Sequence, residues 1–177
     1  MAAEMRYSAR GDWVRQALDS MMQSNAAAAA VLSQFRCSAC TDVTGFGLIG
    51  HLLEMIQFKE QELDENKLTS VDLFLNEVRT LPGAVDCVSM GIMSSLFPEN
   101  IRCARAIGNV ADAQGNHKFP LLFDPQTSGG LLATIPAEHA TNCILKLKEV
   151  GYHNSAIIGN IVRREKGSFH SLVNLII

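Results

Sequence analysis

Apolar side chains in the first 35 residues recur every three or four positions. Trp13, Ala17, Leu18 and Met21 keep that spacing, and Asp12 stands ahead of them where an N-cap belongs. A second helix is predicted through the alanines at 26–30 to about Phe35, with Ser24 or Asn25 as its cap. "SACTDVT" at 38–44 then reads as a short strand, and "GFGLIGHLLEMI" at 45–56 as a turn and a helix with Leu48, Leu52 and Met55 on one face. The polar run "KEQELDENK" at 59–67 has no apolar period and reads as an exposed loop. "SVDLFL" at 70–75 places Val71, Leu73 and Leu75 on one buried face of a strand. Ala84, Val85, Val88 and Met90 make a helical stretch after Pro82, whereas Pro98, Gly108, Gly115 and Pro120 break up the region that follows, and no boundary is assigned in it.

"FPLLFDPQTSGGLLATIP" at 119–136 resumes a clear pattern: an apolar, strand-like approach, a polar glycine turn, and a strand from Leu131 to Ile135. Pro136 suits the first turn of the next helix, and Gly151 ends it. "SAIIGNIV" at 155–162 and "SFHSLVNLII" at 168–177 close the chain as strands around a turn at "RREKG". About five strands and five or six helices in this order predict an α+β fold, close to α/β: one mixed sheet flanked by helices.

Composition narrows the function classes. A chain of 177 residues supports one domain spanning 1–177. With 15 basic against 18 acidic side chains and a net charge of −3, nothing points to nucleic acid. The longest apolar run, "AAAAAVL", falls well short of the roughly 20 residues a membrane span needs, and a cytoplasmic protein is the expectation. The cysteines at 37, 40, 87, 103 and 143 are odd in number and scattered, as reduced thiols are. "CSAC" at 37–40 is a C-x-x-C without the second half of a zinc site, so buried small hydrophobes are the expected reading.

Two glycine turns carry the candidate chemistry. Asp42 ends a strand just before the turn that opens a helix, where α/β proteins present ligand-binding groups. Gly45 and Gly47 permit close backbone approach, and the N–H groups of a new helix favour anions. A carboxylate there suits a phosphate only through a bridging hard cation, which makes Asp42 a Mg²⁺ ligand; the plainer reading is that Asp42 caps the helix and Thr44 satisfies a turn N–H. Thr127, Ser128, Gly129 and Gly130 offer hydroxyls and unhindered backbone N–H groups, the parts of an anion cradle and equally of an ordinary turn. His51 falls on the first turns of the helix, where it would face the ligand or stand as a partly exposed helix residue.

"TDVTGFGLIGHL" together with "LFDPQTSGGLLATIP" resembles the C-terminal domain of selenide, water dikinases, or selenophosphate synthetases. Their PurM-like superfamily includes aminoimidazole ribonucleotide synthetase, formylglycinamide ribonucleotide amidotransferase, thiamine monophosphate kinase and a hydrogenase maturation factor. The resemblance implies an ATP-dependent enzyme that turns ATP, selenide and water into selenophosphate, AMP and phosphate, with Mg²⁺ on the triphosphate. It implies a metal role for Asp42, while for Thr44, Gly45, Gly47, Thr127, Ser128, Gly129 and Gly130 a phosphate- or nucleotide-binding role and a plain structural turn both stay open. In these enzymes the other carboxylates, the catalytic lysine and the reactive cysteine or selenocysteine lie in an ATP-binding N-terminal domain. The chain shows no counterpart of that domain, and none of its cysteines sits in the catalytic context. No catalytic residue is therefore expected within it. ATP and selenide would be engaged through the N-terminal domain, the full-length enzyme is expected to be a homodimer, and this chain alone is expected to be inactive. The alternatives are the C-terminal half of another superfamily enzyme, of the aminoimidazole ribonucleotide synthetase or thiamine monophosphate kinase type, or a non-catalytic interaction module.

Overall fold

A computed structural model of the chain describes residues 1–62, 69–163 and 171–177. The elements run in order as helices α1 (Ala2–Met5), α2 (Gly11–Met22) and α3 (Ala26–Gln34), strand β1 (Ala39–Asp42), α4 (Gly47–Glu62) and β2 (Thr69–Phe74). Short helices α5 (Ala84–Ser89), α6 (Phe97–Asn100) and α7 (Val110–Ala113) follow, then β3 (Leu131–Thr134), α8 (Ala137–Glu149), β4 (Gly159–Arg163) and β5 (Val173–Ile176). The chain folds as helices with mixed sheets, the α+β class its pattern predicts. No described helix is long and apolar enough to cross a membrane.

Instead of the single sheet expected, the described strands form two. β1 and β3 make an antiparallel pair with Asp42 opposite Leu131, while β2 lies between antiparallel β4 and parallel β5. The reason lies in β3, whose side chains divide between two cores. Leu132 packs toward a core built from Ile49, Leu52 and Ile56 of α4, Val71 and Leu73 of β2, and Val173 and Leu175 of β5. Leu131 and Ala133 point the other way, into a smaller core of Ala28, Val31 and Leu32 of α3 with Cys143 and Leu147 of α8. With alternate residues of β3 committed to opposite sides, the two-stranded sheet becomes a partition between the two cores. A groove of about 1310 Å³ opens beside it, walled by residues of both cores.

Several local expectations change. Arg10, not Asp12, occupies the N-cap of α2, and Asp12 lies in the first turn with its carboxylate 3.2 Å from Arg10 Nε. α4 continues to Glu62, so the polar run is helical through 59–62; its remainder, 63–67, lies outside the described residues, as does most of the expected turn at 164–167. The apolar approach at 120–123 is a 3-10 turn rather than strand-like, because Pro120 is locked at helical φ and lacks the N–H a strand ladder needs. Of "SAIIGNIV" only the part from Gly159 pairs as a strand.

Candidate functional site

The two glycine turns lie side by side, and each closes the other. Val43 N–H donates to Gly130 O at 3.0 Å, and Gln126 N–H donates to Thr44 O at 2.9 Å, so residues 43–44 and 126–130 continue the β1–β3 pairing past the last ladder residues. Gly47 has φ +71, and a Cβ there would meet the Phe123 carbonyl carbon at 2.8 Å. A Cβ on Gly129 would overlap the Val43 carbonyl. Both contacts require glycine for packing. Gly45 and Gly130 differ: a Cβ at either would meet nothing within 4 Å. One glycine of each motif thus locks the turns together, and the other leaves open space where a ligand can approach the backbone.

Asn100, at the end of α6, fastens the same junction from behind. It is buried, and its Nδ2 donates to Gly45 O at 2.8 Å and to Phe123 O at 3.0 Å. Sequence reasoning missed this residue, because an Asn among Phe97, Pro98 and Ile101 in an unassigned region carries no periodic signal.

Asp42 is exposed at the C-terminal end of β1. α4 begins at Gly47, five residues on, so the carboxylate is not the cap of that helix. Among the described residues no hydrogen bond or ion pair engages its side-chain oxygens, and its alternation places it with Cys40 on the face that carries Leu131 and Ala133. Cys40 is exposed rather than buried as expected; partial desolvation, then its neighbour Cys37 and the Asp42 charge, raise its thiol pKa, which lowers its thiolate fraction and its reactivity. Cys37 is half-buried against the α3–α8 core and Cys143 is buried within it, as small hydrophobes.

The "TSGG" turn is tied to the first helices. Ser128 Oγ donates to Met21 O at 3.2 Å, and Gly129 O accepts from Asn25 Nδ2 at 3.0 Å. The Ser128 hydroxyl is thereby turned toward α2, while Thr127 stays exposed at the rim. His51 is 6% exposed rather than a surface residue, with Nε2 3.0 Å from Thr44 Oγ1. Asp124, at the base of the second turn, has a raised pKa because burial outweighs the opposing hydrogen bond from Gln126, whose Nε2 lies 3.1 Å from Oδ2.

No group of three His, Cys, Asp or Glu side chains among the described residues is arranged to enclose a metal ion. The donor present is a single exposed carboxylate beside open backbone, which suits a hard cation that takes few protein ligands and shares its shell with phosphate oxygens.

Residues 14–171 match the family described as AIR synthase related protein, C-terminal domain. Over 149 residues the chain is 35% identical to a selenide, water dikinase of Campylobacter jejuni, covering 84% of this chain and 40% of the relative. It is 32% identical over 154 residues to that of Pelobacter propionicus, 87% of this chain and 42% of the relative. It is 33% identical over 152 residues to that of Geobacter metallireducens, 86% of this chain and 42% of the relative. The chain therefore spans about two fifths of the length of these curated relatives.

Proposed function

The chain belongs to the AIR synthase related protein, C-terminal domain family, and from that premise we propose that it serves as the C-terminal domain of an ATP-dependent selenophosphate synthetase. The observation that carries the reading is the junction of the two glycine turns, with an exposed carboxylate at its edge and open backbone at Gly45 and Gly130. In the reading, Asp42 supplies one carboxylate to a Mg²⁺ shared with the nucleotide phosphates, and the backbone N–H groups of 45–46 and 127–130 receive phosphate oxygens. Bound there, the cation would neutralise phosphate charge, the main requirement of phosphoryl transfer. The chain's own part is positioning: Gly47, Gly129 and Asn100 fix the two turns against each other, with open space at Gly45 and Gly130. The reaction proposed for the whole enzyme converts ATP, selenide and water into selenophosphate, AMP and phosphate.

The test is Asp42→Asn in the full-length enzyme that carries this domain, assayed for selenide-dependent AMP release. A loss of about two to four orders of magnitude with an unchanged circular dichroism spectrum is expected from removal of a metal carboxylate. Near wild-type turnover at saturating Mg²⁺ would remove Asp42 from the site. Turnover of an amidine or thiamine phosphate substrate in place of selenide would move the enzyme to another branch of the superfamily.

A further inference from the structure

His51 lies on the second turn of α4 with its ring against Phe46, the centroids 5.4 Å apart. Its two nitrogens meet different partners. Nε2 is 3.0 Å from Thr44 Oγ1, and Nδ1 is 3.1 Å from Glu54 Oε2 one turn along the helix. Nδ1 is sealed from solvent and makes no hydrogen bond, so the carboxylate is near it without the alignment of a bond. A neutral imidazole carries one proton. On Nδ1 that proton brings the positive end of the N–H dipole near the carboxylate, without the alignment of a hydrogen bond. On Nε2 it would leave the bare, solvent-sealed Nδ1 lone pair 3.1 Å from the carboxylate, whose side chain is 59% exposed, an unfavourable arrangement that solvent on the carboxylate weakens without reversing.

The Nδ1–H tautomer has a consequence for Thr44. Bare Nε2 can only accept, so the Thr44 hydroxyl must spend its single proton on the ring. What remains on Oγ1 is a pair of acceptor sites. The Thr44 carbonyl is already occupied, receiving Gly47 N–H at 3.1 Å and Gln126 N–H at 2.9 Å. Every oxygen of Thr44 is thus an acceptor, and none of them can donate to a phosphate oxygen.

We infer that His51 is a positioning residue that fixes the Thr44 hydroxyl as an acceptor, assigning it to the cation, or to the cation's bound water, in a metal–phosphate ligand. The phosphate oxygens fall to backbone N–H groups. The inference rests on the metal–phosphate reading of the two-turn junction for its ligand and on the two ring contacts alone for its tautomer.

The tautomer is read directly from long-range ¹H–¹⁵N correlations of the imidazole rings in the ¹⁵N-labelled chain at mildly alkaline pH. His51→Gln identifies the signals. The expected result is a protonated Nδ1 and a bare Nε2, with Glu54→Ala shifting the ring toward Nε2–H. A protonated Nε2 in the wild type, as the other tautomer or as the imidazolium, overturns the inference. A calorimetric titration of the full-length enzyme that carries this domain with pyrophosphate, with and without Mg²⁺, tests the assignment of the hydroxyl. Thr44→Val and His51→Leu should weaken the magnesium–pyrophosphate complex about tenfold, the scale of one lost hydrogen bond, and change metal-free pyrophosphate by less than about twofold. His51→Gln, whose amide oxygen can still accept from Thr44, should recover most of the loss. Equal weakening with and without Mg²⁺ would make the hydroxyl a phosphate donor and sink the assignment. Failure of the wild type to bind either form counts against the functional reading, and the ring-nitrogen result then stands or falls by itself.

Discussion

Asn100 makes two hydrogen bonds to carbonyls that no other described donor reaches, Gly45 O and Phe123 O, from a position 8% exposed. Asn100→Ala leaves the buried Phe123 carbonyl and the half-buried Gly45 carbonyl without this donor, and a loss of about 1–3 kcal/mol is expected by urea denaturation. Asp124 makes a prediction in pH. Burial raises its folded-state pKa above the ordinary 3.8, so its contribution to stability is fully present below that value and is lost as pH rises through the raised one. Asp124→Asn keeps an oxygen for Gln126 and removes the charge. The variant should melt higher than the wild type near neutral pH, with the advantage fading under acid; an advantage that grows on acidification would reverse the sign. At this scale the sequence was informative where a residue type answers to a local rule, as Gly47 does at the start of a new helix. It was silent on Asn100 and on the burial of His51, because both depend on partners far along the chain or on how a helix is rotated.

α4 shows why local signals succeed for an element and fail at its ends. Leu48, Leu52 and Met55 predict the helix, and the structure buries Ile49, Leu52, Leu53 and Ile56, so the buried stripe is wider than the pattern chosen from three positions. Its polar C-terminal stretch remains helical although no apolar period marks it, since Lys, Glu and Gln favour helix when nothing else competes. Its start is set by Gly47 at φ +71, packed on the backbone of Phe123. Gly47→Ala therefore meets both a left-handed backbone, which costs about 1–2 kcal/mol by itself, and a clash at 2.8 Å. A thermal melt should show the loss, and Gly45→Ala, whose Cβ enters open space, should leave the melt nearly unchanged while weakening any ligand that approaches the backbone there. Equal destabilisation by the two substitutions would contradict the division of labour between the glycines.

The division into two cores was not legible from the sequence, because β3 reads as one apolar run, "LLATI", and a run does not say to which side each residue is pledged. The adjacency of the two turns was legible, since both stand beside strand ends of one sheet. That adjacency has a kinetic consequence. Val43 and Gly130 meet only when the intervening chain, which includes most of the larger core, has closed into a loop, and long loops close at an entropic cost that later contacts must offset. Each core can consolidate without the contact between Gly129 and the Val43 carbonyl, so that contact belongs to the late side of the folding barrier. Gly129→Ala should then speed unfolding in stopped-flow measurements and leave the refolding rate nearly unchanged; an equal slowing of refolding would place the junction in the nucleus. By the same reasoning, a ligand held between the turns acts as a brake on unfolding without guiding folding. The junction would be the last part of the molecule to assemble and the first to open, and a ligand bridging it would govern how long the folded state persists.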